Sequence, residues 1–145
     1  MSYFSEDIGQ LILRLRQKYL SALKREIEKV GAEGITPSIT RLLLPLEDEG
    51  ELTVKELASS AGLNKSTTTI LVNEMREIGL VEKTRDASDM RIVRVSLTEK
   101  GRAETSKIKR ALAEISASAL DGVTPDEQAN IKMGLFKIIS NLSKG

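Results

Sequence analysis

The chain has 145 residues, room for one domain with a sizeable core, and its 40% hydrophobic and 30% charged content is that of a soluble globular protein. It contains neither cysteine nor histidine, which excludes disulfides, thiolate and imidazole metal ligands, a cysteine nucleophile and the usual general base. The net charge is only +1, distributed as −2 over residues 1–52, +2 over 53–102 and +1 over 103–145, so the small basic excess is central.

In residues 6–30 the apolar positions Ile8, Leu11, Ile12, Leu15, Tyr19, Leu23, Ile27 and Val30 recur at spacings of three and four, which predicts an amphipathic helix ended by Gly31 and Gly34. Thr36 followed by Pro37 reads as an N-cap with proline at the first helical position. It opens a short second helix through Leu42–Leu44, which Pro45, lacking an amide donor, is expected to kink or finish. Thr53-Val-Lys-Glu56 has the spacing of a capping box and starts a third helix to about Ser60. Gly62 breaks it, and Asn64 caps a fourth helix over 65–78 with Leu71, Val72, Met75 and Ile78 on its apolar face.

After Gly79 come two strand-like stretches, Leu80–Arg85 and Arg91–Leu97, joined by the polar Asp86-Ala-Ser-Asp-Met90, so a β-hairpin is expected. Thr98 then caps a helix from Glu99 to about Leu120. Thr124-Pro-Asp-Glu127 combines a capping box with a first-turn proline and starts a last helix, with Ile131, Leu135, Ile138, Ile139 and Leu142 on one face. The fold class is therefore mainly α with a small β-hairpin (α+β), as a single unit over 1–145.

The informative segment is the middle. Ala58 is small where two helices must approach, and Gly62, four residues on, supplies the positive φ of a tight turn, the mark of a helix-turn-helix. The fourth helix opens on Lys65, Ser66, Thr67, Thr68 and Thr69, short polar side chains that let a helix N-terminus approach the floor of a DNA major groove, with Asn73 further along it. A solvated Ser/Thr-rich turn is the bland alternative. The hairpin carries Lys83, Arg85, Arg91 and Arg94 around a turn containing Asp86 and Asp89. An arginine near such a tip reaches into a narrow minor groove, and a neighbouring carboxylate holds its guanidinium in position.

In these residues the sequence resembles the multiple-antibiotic-resistance regulator (MarR) family of winged helix-turn-helix repressors and activators. The likeness is carried by Leu57-Ala58 to Leu63, Ser66-x-x-Thr69-x-Leu71-Val72 and Gly79-Leu80-Val81. The wing Asp86-x-x-Asp89-Met90-Arg91 and the return Val95-Ser96-Leu97-Thr98-Glu99-Lys100-Gly101 complete it. The resemblance implies a DNA-binding lobe over 36–102 and dimerisation helices over 5–31 and 103–143. It also implies a homodimer on double-stranded DNA with a pseudo-palindromic operator, and, in many members, release by a small-molecule effector. The fourth helix would be the recognition helix, and Arg91, supported by Asp89, the minor-groove residue. Met90 and Ile70 stand where the family commonly has basic residues, Lys83 where it frequently has arginine, and Thr68 where it packs an apolar side chain inward, so that its hydroxyl needs a helix carbonyl as partner.

The DNA-contacting set expected from motif and resemblance together is Lys65, Ser66, Thr67, Thr69, Asn73, Arg85, Asp89, Arg91 and Arg94. No catalytic residue, metal site or cofactor is expected. The terminal apolar stripes could pack within one subunit, but a small central module leaves surface to cover, which favours the dimer. Tyr3, Phe4, Tyr19 and Phe136 are read as core or interface. No run of about 18 apolar residues exists for a membrane span. The opening MSYFSEDIGQ carries acids where a signal peptide is basic, so a cytoplasmic protein without membrane contact is expected. Two other readings stay open: a winged-helix protein-interaction module, and a non-specific chromatin-like DNA-binding protein.

Overall fold

Helix α1, Ile8–Lys29, begins where the Asp7 carboxylate accepts the Gly9 amide, and only its second half enters the core, through Leu23 and Ile27. The structure is a computed structural model and describes residues 6–32 and 34–144; Tyr3 and Phe4 lie outside them. Helix α2, Pro37–Glu49, is capped by the Thr36 hydroxyl accepting the Ile39 amide and ends at Gly50, whose φ is +83°. Of the two outcomes expected at Pro45, a kink or an end, the end does not occur: the helix runs on to Glu49. A mid-helix proline costs ~3 kcal/mol, but Leu42, Leu43 and Leu46 lie on both sides of it and are fully or almost fully buried. Burying such a side chain contributes about 1.5–3 kcal/mol, so the core holds the helix through the proline.

A short strand, β1 (Glu51–Thr53), follows and was not expected from the sequence. It precedes α3 (Val54–Ala61), α4 (Lys65–Glu77), β2 (Val81–Arg85), β3 (Val93–Leu97), α5 (Glu99–Ala119) and α6 (Pro125–Leu142). The hairpin is thus the larger part of a three-stranded antiparallel sheet in the order β1-β3-β2, with Leu52 opposite Val95 and Lys83 opposite Val95 from the other side. The Thr53 cap departs from the expected reciprocal box. The Thr53 hydroxyl accepts the Glu56 amide at 3.2 Å, but Glu56 receives the threonine hydroxyl proton, at 3.0 Å, instead of reaching back to the Thr53 amide. The capping box at Thr124 is complete: Glu127 N donates to Thr124 Oγ1 and Thr124 N to Glu127 Oε1, both at 3.2 Å.

The core gathers Ile39, Leu42, Leu43 and Leu46 of α2, Leu57 of α3, Val72 and Met75 of α4, Val95 of β3 and Ile108 of α5. It lies entirely within the central lobe and its supports. No residue of α6 is buried, and it presents Ile131, Phe136, Ile139 and Leu142 to solvent, while the first half of α1 presents Ile8, Leu13 and Leu15. A solitary helix of this length with no buried face is marginal in water. The alternative in which the terminal stripes pack within one subunit does not match this geometry. No helix among the described residues is long and apolar enough to cross a membrane.

Candidate nucleic-acid interface

Gly62 sits at φ +66°, ψ +35°, the left-handed conformation that lets α3 end and the chain turn at once into α4. Its amide reaches Ser59 O and the Leu63 amide reaches Ala58 O, at 3.2 and 2.9 Å. Arg41 of α2 closes the same end by donating Nη2 to Ala61 O at 2.5 Å, a brace that sequence periodicity does not reveal because Arg41 is on the exposed side of its helix. Ala58 is buried at the crossing of the two helices.

The α4 N-terminus is built as its composition suggests. Asn64 Oδ1 accepts the Thr67 amide at 2.8 Å and the Ser66 hydroxyl at 3.0 Å. Thr68 is fully buried and donates its hydroxyl to Asn64 O at 2.8 Å, the partner a buried hydroxyl requires. Thr69 donates to Lys65 O at 2.9 Å. Ser66 and Thr69 therefore offer outward acceptor lone pairs, their protons being engaged within the helix. Lys65, Ser66, Thr67 and Asn73 are exposed, and Thr69 is half-buried. Asn73 Oδ1 accepts Lys83 Nζ at 2.8 Å, tying the helix to β2 and leaving the Asn73 amide protons free to donate outward. Lys83, a departure from the family's arginine, acts here as a brace.

The wing turn is organised by its two aspartates. Asp86 Oδ1 accepts Ser88 Oγ at 2.6 Å, Ser88 N at 2.8 Å and Asp89 N at 3.1 Å, while Oδ2 takes Arg94 Nη2 at 3.3 Å. The Ser88 hydroxyl and amide, then the Asp89 amide and Arg94, hold this carboxyl down at about 2. Asp89 Oδ1 accepts both Arg91 N and Nε at 3.0 Å, and Oδ2 accepts Nη2 at 3.1 Å. The Arg91 guanidinium, with its amide second, holds the Asp89 carboxyl below its ordinary value, and Asp89 raises Arg91 in return. Arg91 is 90% exposed even while held in this two-point grip. Its remaining N–H donors face outward.

Arg85 and Arg94 are placed differently. Arg85 donates to Met90 O at 2.8 Å and closes the turn, and Arg94, with 35% of its side chain exposed, lies behind Asp86. Of the nine expected residues the structure thus brings Lys65, Ser66, Thr67 and Asn73 onto the outer side of α4 and Arg91 with Asp89 to the wing tip. Thr69 is half-buried on α4, and the exposed Arg85 and half-buried Arg94 are held against the wing turn by Met90 O and Asp86.

The return into α5 fixes where the wing stands. Thr98 N donates to Leu80 O at 3.0 Å, Thr98 Oγ1 to Gly79 O at 2.5 Å and Lys100 Nζ to Ile78 O at 2.7 Å. Gly101 passes so close that a Cβ there would collide with the Leu80 carbonyl oxygen. Each element of Leu97-Thr98-Glu99-Lys100-Gly101 except the exposed Glu99 therefore locks α4, the sheet and α5 together. Among the described residues no group of three His, Cys, Asp or Glu side chains is gathered as a metal site requires.

The sequence profile of the MarR family matches residues 35–93, from just before α2 to the first residue of β3. The chain is 26% identical over 121 residues to the HTH-type transcriptional repressor MdtR of Bacillus subtilis, covering 83% of this chain and 76% of that one. Its fold is similar to the solved structure of Bordetella bronchiseptica BpsR, whose DNA binding is regulated by 6-hydroxynicotinic acid, with TM-score 0.83, 24% identity and coverage of 95% and 96%. It is likewise similar to a mutant MarR of E. coli complexed with operator DNA, with TM-score 0.81, 23% identity and coverage of 95% and 99%. The family profile, matched across the helix-turn-helix and wing, together with curated HTH-type transcriptional regulators related over most of the chain, places this chain in the MarR family.

Proposed function

We propose that this protein regulates transcription as a homodimer that binds a pseudo-palindromic DNA operator, and that binding is its whole task, with no chemistry performed on the DNA. The observation that carries the reading is the Asp89–Arg91 grip. A charge-assisted pair at the wing tip fixes the direction of a guanidinium that nevertheless stays almost fully open. An ion pair of this exposure adds little to stability, so its value lies in presenting Arg91. The minor groove, where negative potential is concentrated, is the surface such a residue suits.

The other parts agree with this geometry. The N-terminus of α4 offers amides, Lys65 and a positive dipole end to phosphate, while Ser66, Thr67, Thr69 and Asn73 face base edges. The exposed apolar faces of α1 and α6 are the dimer surface, covered by the same faces of a second subunit. A DNA-binding regulator of this kind works in the cytoplasm. The relation to BpsR supports a small-molecule effector here as well.

A gel-shift titration against the DNA upstream of the protein's own gene, with competitor duplex, tests the proposal. Retention that survives excess competitor is expected. Equal retention of all duplexes would favour a non-specific chromatin-like protein, and none would favour a protein-interaction module.

A further inference from the structure

Among the described residues the exposed large apolar side chains are distributed unevenly. All but two lie on α1, α6 or the residue closing α5, at the dimerisation end of the molecule. The exceptions are Ile70, 60% exposed on α4, and Met90, 61% exposed in the wing turn. Single exposed apolar residues are ordinary on a protein surface. Here, however, both fall on the two elements that face DNA in the proposed function, on which this inference rests.

Ile70 has a defined setting. Thr68, Leu71, Val72 and Met75 turn the other side of α4 into the core. At helical spacing the neighbours of Ile70 are Ser66, Thr67, Asn73 and Glu74, all exposed. It is thus one apolar residue in the middle of the polar stripe that would enter the major groove. Two features separate base edges from backbone as its counterpart. An aliphatic side chain gains nothing from phosphate, and the carboxylate of Glu74, one turn further on, opposes close approach of phosphate to this part of the helix. On the groove floor only thymine displays an apolar group, its 5-methyl. An isoleucine flanked by short polar side chains matches a thymine flanked by hydrogen-bonding base edges.

We infer that Ile70 is a specificity-determining residue that reads the 5-methyl group of a thymine in each half-site of the operator. This departure from a basic residue exchanges a phosphate donor for a base contact. Sequence preference is gained at that base pair, and the salt dependence of binding falls by the share of one phosphate contact.

The test uses an operator selected by the full-length protein from a random duplex library, resynthesised with each thymine replaced singly by uracil, which removes only the methyl. The wild-type protein should lose about fourfold in affinity at one position, or two adjacent ones, per half-site, the worth of one buried methyl group. Ile70→Ala, whose folding is checked by circular dichroism, should bind the thymine operator severalfold more weakly and be indifferent to uracil at those same positions. A flat uracil scan with the wild-type protein, or uracil sensitivity that persists in Ile70→Ala, would overturn the assignment. Failure of the selection to enrich any sequence would instead overturn the reading of the chain as a sequence-specific regulator, and this inference with it.

Discussion

Replacing Gly101 by alanine sets two physical effects against each other. Gly101 is in the first turn of α5, and its amide donates to the capping Thr98 hydroxyl at 3.0 Å. Judged by helix propensity alone, Gly101→Ala should stabilise the protein by up to ~1 kcal/mol. The structure predicts the opposite sign. The added Cβ would meet the Leu80 carbonyl oxygen, a backbone atom that already accepts the Thr98 amide, and the Leu97 side chain lies 3.2 Å away on another side. Overpacking of this kind costs about 1–3 kcal/mol. Displacing Leu80 also weakens a hydrogen bond worth about 1 kcal/mol. After the propensity gain is subtracted, a net loss of about 2 kcal/mol remains, or a fall in Tm of roughly 5 °C for a chain of this size. Urea denaturation of both proteins at the same subunit concentration measures it, since a dimer's apparent stability depends on concentration. Equal or greater stability of Gly101→Ala would refute the claim that close approach of two backbones requires glycine here.

Within the wing, Arg91→Ala should weaken operator binding more than Arg94→Ala, because Arg91 is presented outward and Arg94 is engaged by Asp86. Asp89→Ala should reproduce part of the Arg91 loss although it removes a negative charge; tighter binding by Asp89→Ala at fixed salt would end the positioning argument. Lys65→Ala should weaken specific and random duplexes alike and flatten the salt dependence, whereas Thr67→Ala should weaken the operator selectively; identical profiles would erase the division between phosphate and base contacts. The Asp86 carboxyl is lowered from 3.8 to about 2 chiefly by Ser88, so its support of the wing turn is complete above pH 4 and is lost as pH falls through about 2. Ser88→Ala should raise that value toward 3.8, as followed by an NMR titration of the Asp86 carboxyl; an unmoved titration would show that Ser88 is not the main cause.

The elements legible in the sequence were those with local chemical causes. Asn64, Thr98 and Thr124 each cap the helix expected of them, Gly62 takes the left-handed turn, and Thr68 finds its carbonyl. The pairing of Asp89 with Arg91 was readable because two residues of separation suffices for the contact. What escaped depends on distant partners. Glu51-Leu52-Thr53 is too short to display alternation, and it becomes a strand only because β3, more than 40 residues later, offers it an edge. Pro45 carries a local stop signal that burial of Leu42, Leu43 and Leu46 overrides. The partners of Arg94 and Arg85, Asp86 and Met90 O, lie across the turn and were likewise not readable from charge and position. Arg41, which braces the helix-turn-helix from 20 residues away, left no periodic trace.

In the proposed function two copies of this chain bind DNA together, each placing one α4 in a major groove and one Arg91 in a neighbouring minor groove. Hydroxyl-radical footprinting of the selected operator, combined with the subunit-to-duplex stoichiometry, addresses it most directly. Helix-turn-helix dimers set their recognition helices about 34–36 Å apart, one turn of DNA. Two subunits per duplex and two related half-sites at that spacing are expected, with flanking minor-groove protection that disappears in Arg91→Ala. One subunit on a single unpaired half-site, or flanking protection unchanged by Arg91→Ala, would contradict it.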